Sequence, residues 1–121
     1  MDLITTHVCM TKDLGVHGNL FGGILVSWID EAAAAYACMK CDTNRMVTVK
    51  INELIFKKPI KQGHLIKIYG NVLRIGETSI TIEIVVKKHD PVSGEEYITT
   101  STEIVFVKID EDGNTSPIIK K

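Results

Sequence analysis

The sequence predicts an α+β fold in which one long helix is wrapped by a curved antiparallel sheet of about five strands. Three observations point there. Only one stretch keeps a helical apolar period, the other apolar segments alternate every two residues, and the order along the chain is strand, helix, then four strands.

The first strand is expected over residues 3–10, where apolar and polar residues alternate. A polar, glycine-containing loop follows over residues 12–19. From residue 21 to 40, Leu25, Trp28, Ile29, Ala32, Ala33 and Tyr36 fall three and four apart, and the alanine run has high helix propensity and admits close packing. After it, Val47, Val49 and Ile51 alternate with Thr48, Lys50 and Asn52. Lys61-Gln62-Gly63 turns the chain into a strand over residues 65–73. Ile80, Ile82, Ile84 and Val86 form the clearest alternation, the segment from His89 to Gly94 is a turn cluster, and residues 96–109 form the last strand, rich in Thr, Ile, Val and Phe. Residues 1–110 read as one domain and 111–121 as a polar tail with a turn at Asp112-Gly113-Asn114. A single curved sheet leaves open edges, which pairing of two copies would close.

At 121 residues with 45% hydrophobic and 24% charged side chains, the chain can build one core. Fourteen basic against fifteen acidic residues leave a net charge of −1, which argues against nucleic-acid binding. Three cysteines make no disulfide framework and suit a reducing cytoplasm. The amino-terminal residues show no signal peptide, lacking both a basic start and an apolar run. Residues 20–39 carry Asp30 and Glu31 at their centre, each costing about 2.5–3.5 kcal/mol in a bilayer, so no membrane insertion is expected.

The chemistry concentrates in Gly18-Asn19-Leu20-Phe21-Gly22-Gly23 and in Asp30. Two glycines at a helix start let a ligand approach the backbone, and the free N–H groups there, with the helix dipole, can hold a polarised carbonyl oxygen. The plainer alternative is that Asn19 caps the helix and the glycines only turn the chain. Asp30 sits mid-helix with Val26 and Ala34 one turn away, so no i,i+4 cation neutralises it. It reads either as a solvated acid or as a half-buried general base or nucleophile. About nine helical residues separate it from Asn19, roughly 13–14 Å along the axis. That is too far for one substrate carbon within a chain, but antiparallel helices in an isologous dimer would bring Asn19 of one copy near Asp30 of the other.

Gly18-Asn19-Leu20-Phe21-Gly22-Gly23 with Asp30, then Phe56-Lys57-Lys58-Pro59-Ile60, then Arg74-Ile75-Gly76-Glu77-Thr78-Ser79 together resemble the hotdog-fold acyl-CoA thioesterases. The nearest branch is the bacterial short-to-medium-chain acyl-CoA hydrolases, related to the brain-type enzyme. The resemblance runs from about residue 5 to 110. It implies the hotdog fold, a dimeric working unit often assembled into hexamers as trimers of dimers, and hydrolysis of acyl-CoA to fatty acid and coenzyme A. It further implies that Asn19 orients the thioester or the attacking water, that Gly22 or Gly23 N–H binds the carbonyl oxygen, and that Asp30 of the partner chain is base or nucleophile. Where relatives often carry Asn, this chain has His17, which either tunes the site or sits on the loop.

Coenzyme A, as part of the substrate, needs cations for its phosphates; the candidates are Lys57, Lys58, Arg74, Lys87 and Lys88, with Gly76, Thr78 and Ser79 offering main-chain and hydroxyl contacts. Leu25, Trp28 and Phe56 are candidates for the acyl pocket. No cofactor is expected. Cys38 and Cys41 have redox spacing but fall at the helix end, where the dipole disfavours thiolate, and no histidine pair has metal-ligand spacing, so no metal is expected. There is no serine-nucleophile elbow, phosphate loop or dinucleotide fingerprint. The rival readings are a non-catalytic acyl-CoA sensor and a hotdog hydratase or dehydratase using His17.

Overall fold

The computed structural model describes residues 1–119. Its elements are β1 (Asp2–Val8), a single 3-10 turn (Thr11–Asp13), α1 (Gly22–Cys41), β2 (Met46–Ile51), β3 (Leu65–Ile75), β4 (Ser79–His89) and β5 (Glu96–Lys108). One antiparallel sheet of order β1-β3-β4-β5-β2 wraps one helix, the hotdog architecture. Strands β3 and β4 outrun their sequence patterns because pairing extends from Leu65 opposite His89 to Ile75 opposite Ile80. Here the partner strand, rather than local alternation, sets the length.

The core lies between β3–β5 and one face of α1. Ile80, Ile82, Ile84 and Val86 of the central strand are fully buried, with Ile66 and Ile68 beside them on β3 and Ile104 and Phe106 on β5. From the helix come Leu25, Ile29, Ala32, Ala33, Tyr36 and Ala37, at helical spacing. Each large aliphatic side chain so placed stabilises the fold by about 1.5–3 kcal/mol relative to exposure. Gly70 of β3 leaves room for its neighbours: a Cβ there would stand 2.5 Å from Ile4 Cδ1 and 3.5 Å from the Tyr36 ring. The Tyr36 hydroxyl donates to Asp2 at 2.6 Å, fastening β1 to the helix. Burial, reinforced by that carboxylate, pushes the Tyr36 phenol up to about 12.

Irregularities in strand register occur between Leu3 and Thr5, Thr48 and Lys50, Val72 and Arg74, and Val86 and Lys87. Such bulges bend the strands and supply the curvature that wraps the helix. The helix is capped by Asp42, whose left-handed backbone (φ 49°) lets the following Thr43 N–H donate to the Cys38 carbonyl at 3.2 Å. After β2 the chain stays against β5, with the Asn52 N–H donating to the Glu103 carbonyl and the Lys57 N–H to the Thr99 carbonyl.

The segment after β5 folds back. Ile109 bridges Thr115, the Ile118 N–H donates to the Glu77 carbonyl at 2.7 Å, and the Ile118 side chain joins the core. Its polar composition concealed that anchor; the last two residues of the expected tail, 120 and 121, lie outside the described residues. Among those described, no helix is long and apolar enough to cross a membrane.

Candidate functional site

The loop before α1 is a closed ring of main-chain contacts. Leu14 bridges Leu20, the Gly15 N–H donates to the Asn19 carbonyl at 2.8 Å, and the Gly18 N–H donates to the Gly15 carbonyl at 3.1 Å. Gly18 makes this possible with a φ of +78°. The Leu20 N–H donates to the Ile60 carbonyl at 2.8 Å, docking the loop on the chain that follows β2. Phe21, not Asn19, is the N-cap, and no side chain caps the helix. Asn19 is therefore free of the structural duty that was its plainer explanation. Its Oδ1 is buried and, among the described residues, without a hydrogen-bond partner. An unmet buried acceptor costs about 1–3 kcal/mol, a cost native folds carry where a ligand or water completes the bonding.

Asn19, Leu20, Gly22 and Leu25 form one wall of a cleft of about 340 Å³, and Phe56, Lys58, Pro59, Ile60 and Thr99 form the other. The first intrahelical bonds are made by the N–H groups of Ile24 and Leu25 to the Phe21 carbonyl, so those of Gly22 and Gly23 precede them. Gly22 borders the cleft, and a Cβ on it would meet the Phe56 ring at 3.5 Å. Gly23 lies under the Phe21 ring instead, where a Cβ would come within 2.9 Å of ring carbon. Of the two glycines, Gly22 lines the cleft and Gly23 does not. His17 is exposed and lines an adjoining depression with Leu14, Val16, Phe21 and Ile24, which shares Asn19, Leu20 and Gly22 with the cleft.

Asp30 is half-buried, and the Thr48 hydroxyl of β2 donates to its Oδ1 at 2.7 Å. It is thus neither a free surface acid nor a core carboxylate, and it sits beside an edge strand of the sheet. Eight helical rises separate it from Gly22, about 12 Å. It takes no part in lining the Asn19 cleft. Thr48 was missed by sequence reasoning, because alternation marks it as opposite in face to Val47 and Val49 without saying which face meets the helix.

Leu25 and Phe56 lie in the cleft as expected, but Trp28 does not. Its ring stacks on His7 of β1 with centroids 4.2 Å apart and planes 5° from parallel, in a groove with Ile4, Thr5 and Glu31. Three residues on from Leu25 is about 300° around a helix, which turns Trp28 toward the β1 side.

The expected coenzyme contacts divide into two groups. Lys58 stands in the cleft wall with Nζ 4.6 Å above the Tyr97 ring, and Lys88 Nζ donates to the Pro59 carbonyl at 2.9 Å. Lys57 is exposed beside them. Lys87 is engaged elsewhere, 3.8 Å from Glu96 and over the Tyr69 ring. Glu96 also accepts from Lys67 and pairs with His89, and these partners, Lys67 foremost, hold its carboxyl down at about 2. Arg74, Gly76, Thr78 and Ser79 lie at the β3–β4 hairpin, where the Gly76 N–H donates to the Ser79 carbonyl and Lys108 N–H to the Thr78 carbonyl. From Ser79 to Lys88 is nine residues of one strand, about 30 Å. Asp30 belongs to the hairpin end, because Thr48 pairs with Phe106 and Phe106 with Ile80. One protomer therefore gathers the sequence-predicted residues in two groups: Asn19, Gly22, Lys57, Lys58 and Lys88 in one, Asp30 and residues 74–79 in the other.

The cysteines stand apart from both. Burial pushes the Cys9 and Cys41 thiols up, away from reactive thiolate. Among the described residues, no three His, Cys, Asp or Glu side chains gather where they could hold a metal ion.

The family model of the Thioesterase superfamily matches residues 17–95. A Haemophilus influenzae protein described as an uncharacterized acyl-CoA thioester hydrolase is 34% identical over 120 residues, spanning 96% of this chain and 77% of that protein. The acyl-CoA thioester hydrolase YciA of Salmonella typhimurium is 31% identical over 121 residues, spanning 97% of this chain and 90% of its own. Among solved structures, the hexameric thioesterase of Yersinia pestis superposes with a TM-score of 0.91 at 30% identity, covering 99% of this chain and 97% of that one.

Proposed function

This chain belongs to the thioesterase superfamily, and we propose that it hydrolyses acyl-CoA to a fatty acid and free coenzyme A at a site shared between two subunits. The observation that carries the shared site is the separation of its halves: an unmet Asn19 amide beside the Gly22 N–H at one end, and Asp30 at the edge strand about 12 Å further along. Strand β2 is an edge with Val47 and Val49 exposed. A second copy paired antiparallel along it covers those valines and sets each Asn19 half against the partner's Asp30 half, giving two identical sites per dimer. The Yersinia pestis relative is described as hexameric, and three such dimers make that number.

In each site the Gly22 N–H, backed by the helix dipole, holds the thioester oxygen as it gains charge. Gly23 supports the same turn by leaving space for the Phe21 ring. Asn19 orients the thioester or the water. Asp30 of the partner subunit takes the proton of that water, or attacks the carbonyl itself. With Asp30 as base, water adds to the carbonyl carbon, the bond to sulfur breaks, and the thiolate takes the proton from Asp30. With Asp30 as nucleophile, the bond to sulfur breaks to leave an acyl anhydride, and a water then hydrolyses it, restoring the carboxylate and protonating the thiolate. Lys57, Lys58 and Lys88 lie on one side of this junction, and the partner's Arg74, Gly76, Thr78 and Ser79 on the other, so the phosphates of coenzyme A bind across the two chains. Lys87, held by Glu96, contributes positive potential at a distance. Hydrolysis consumes only water beside the acyl-CoA, and we assign no cofactor, metal or nucleic-acid partner. We place the enzyme in the cytoplasm, where its three free cysteines stay reduced.

Incubating the protein with acyl-CoA esters from acetyl to palmitoyl and a thiol-detecting dye tests the reading, since only hydrolysis releases free thiol. Thiol release is expected from the parent and none from Asp30→Ala at unchanged thermal unfolding. Full turnover by Asp30→Ala removes that carboxylate from the mechanism. Binding without thiol release favours a sensor. Thiol release also separates the hydratase reading, since hydration or dehydration leaves the thioester whole.

A further inference from the structure

Asp13 is the one buried carboxylate among the described residues, 3% exposed at the end of the turn Thr11–Asp13. A charge withdrawn from water is unfavourable unless well partnered, and its partners are few. The Met10 N–H donates to Oδ2 at 3.0 Å, and the exposed Lys12 reaches Oδ1 at 3.2 Å. What these contacts secure is the direction of the main chain. The Asp13 carbonyl accepts the Phe21 N–H at 2.9 Å, and Phe21 is the residue from which α1 starts. Within that closure lie the Leu14–Leu20 bridge and the bond from the Gly15 N–H to the Asn19 carbonyl. Asn19 thus has its main chain clamped and its side chain left at the cleft, one turn of chain from the Gly22 N–H.

We infer that Asp13 is a positioning residue for hydrolysis, holding Asn19 in place beside the Gly22 N–H through the closed loop without touching substrate. This rests on the acyl-CoA hydrolase reading. The carboxylate acts through the Met10 N–H and its own main chain, and the bond to solvent-exposed Lys12 is incidental.

The test is steady-state hydrolysis of one acyl-CoA by the full chain carrying Asp13→Asn, Asp13→Ala, Lys12→Ala, Asn19→Ala, or Asp13→Ala with Asn19→Ala, each checked for thermal unfolding. Asp13→Asn keeps an acceptor for the Met10 N–H and retains most of the turnover, and Lys12→Ala retains it too. Asp13→Ala lowers kcat about tenfold to a hundredfold with KM little changed, the scale expected when a catalytic group shifts by about 1 Å. Because Asp13 acts through Asn19, adding Asp13→Ala to Asn19→Ala costs little more than Asn19→Ala alone. If Asp13→Ala does not fold, Asp13→Leu, close to the carboxylate in shape and without an acceptor, takes its place in the same cycle. Multiplicative losses in the double variant overturn the inference, as does a rise in KM at unchanged kcat, or a loss in Lys12→Ala as large as in Asp13→Ala. A parent that releases no thiol from any acyl-CoA ends the hydrolase reading and this inference with it. A hydrolysing parent with multiplicative losses ends the inference alone.

Discussion

Asn19→Ala subunits, slowed about a hundredfold, and Asp30→Ala subunits, which release no thiol, are expected to restore hydrolysis when mixed. In one protomer the helix start that carries the Asn19 cleft and the Asp30 carboxylate are separated by eight rises, about 12 Å. A water attacking a carbonyl carbon stands about 3–3.5 Å from it. A base and an orienting amide serving that water must lie within two such steps of each other, well short of the separation within a chain. Across an antiparallel dimer, each site takes Asn19 from one chain and Asp30 from the other. After equal mixing and exchange, half of the dimers are mixed, and each of these has one site with both native residues and one with neither. The mixture therefore recovers about a quarter of parental activity, against about a hundredth for Asn19→Ala alone, on the scale of losing one oxyanion-type donor. The two variants are co-refolded with different affinity tags, and thiol release is measured per subunit in the mixture and in the isolated mixed dimers, where one working site of two gives about half of parental activity. Activity no higher than the mean of the two single variants, in a preparation shown to contain mixed dimers, refutes the shared site.

Asn19→Ala by itself is expected to lower kcat about 10²-fold, read by thiol release at saturating acyl-CoA with the melting temperature unchanged. Glu96→Gln tests the cluster on β4 and β5. The Glu96 carboxyl lies at about 2 when folded against 4.5 in the free side chain, so its contribution is fully present above the higher value and fades as pH falls toward the lower. The difference in melting temperature between parent and Glu96→Gln is largest near neutral pH and closes toward pH 2; a gap that widens in acid contradicts the pairing. Ile82→Ala, at a fully buried position of the central strand, costs about 2–5 kcal/mol by denaturant unfolding, and a cost below 1 kcal/mol places β4 outside the core.

The helix and all five strands were legible because each rests on a local period. Leu25, Ile29, Ala32 and Tyr36 repeat at helical spacing, and Ile80, Ile82, Ile84 and Val86 at strand spacing, whatever lies across from them. The residues at the helix start were legible for the same reason, since glycine pairs and a mid-helix acid are local departures from good helix-forming sequence. Three features were not. Trp28 shares the apolar period of its helix yet packs on His7, outside the cleft. Ile118 stands among polar residues yet joins the core. Lys57, Lys58 and Lys88 gather at one end of the sheet while Arg74 to Ser79 close the other, although motif order alone sets them side by side.

By itself the sequence determined which residues share a face of each element, because backbone geometry repeats every 3.6 or 2 residues without outside help. Only the tertiary structure decided what each face meets. The order β1-β3-β4-β5-β2 places Thr48 against Asp30 and the chain from Phe56 to Ile60 against the Asn19 loop, through hydrogen bonds between segments distant in sequence. It also put the two groups of candidate residues at opposite ends of one protomer. That division follows from the length of β4 and the rise of α1, two rigid rulers whose relative placement no local pattern encodes.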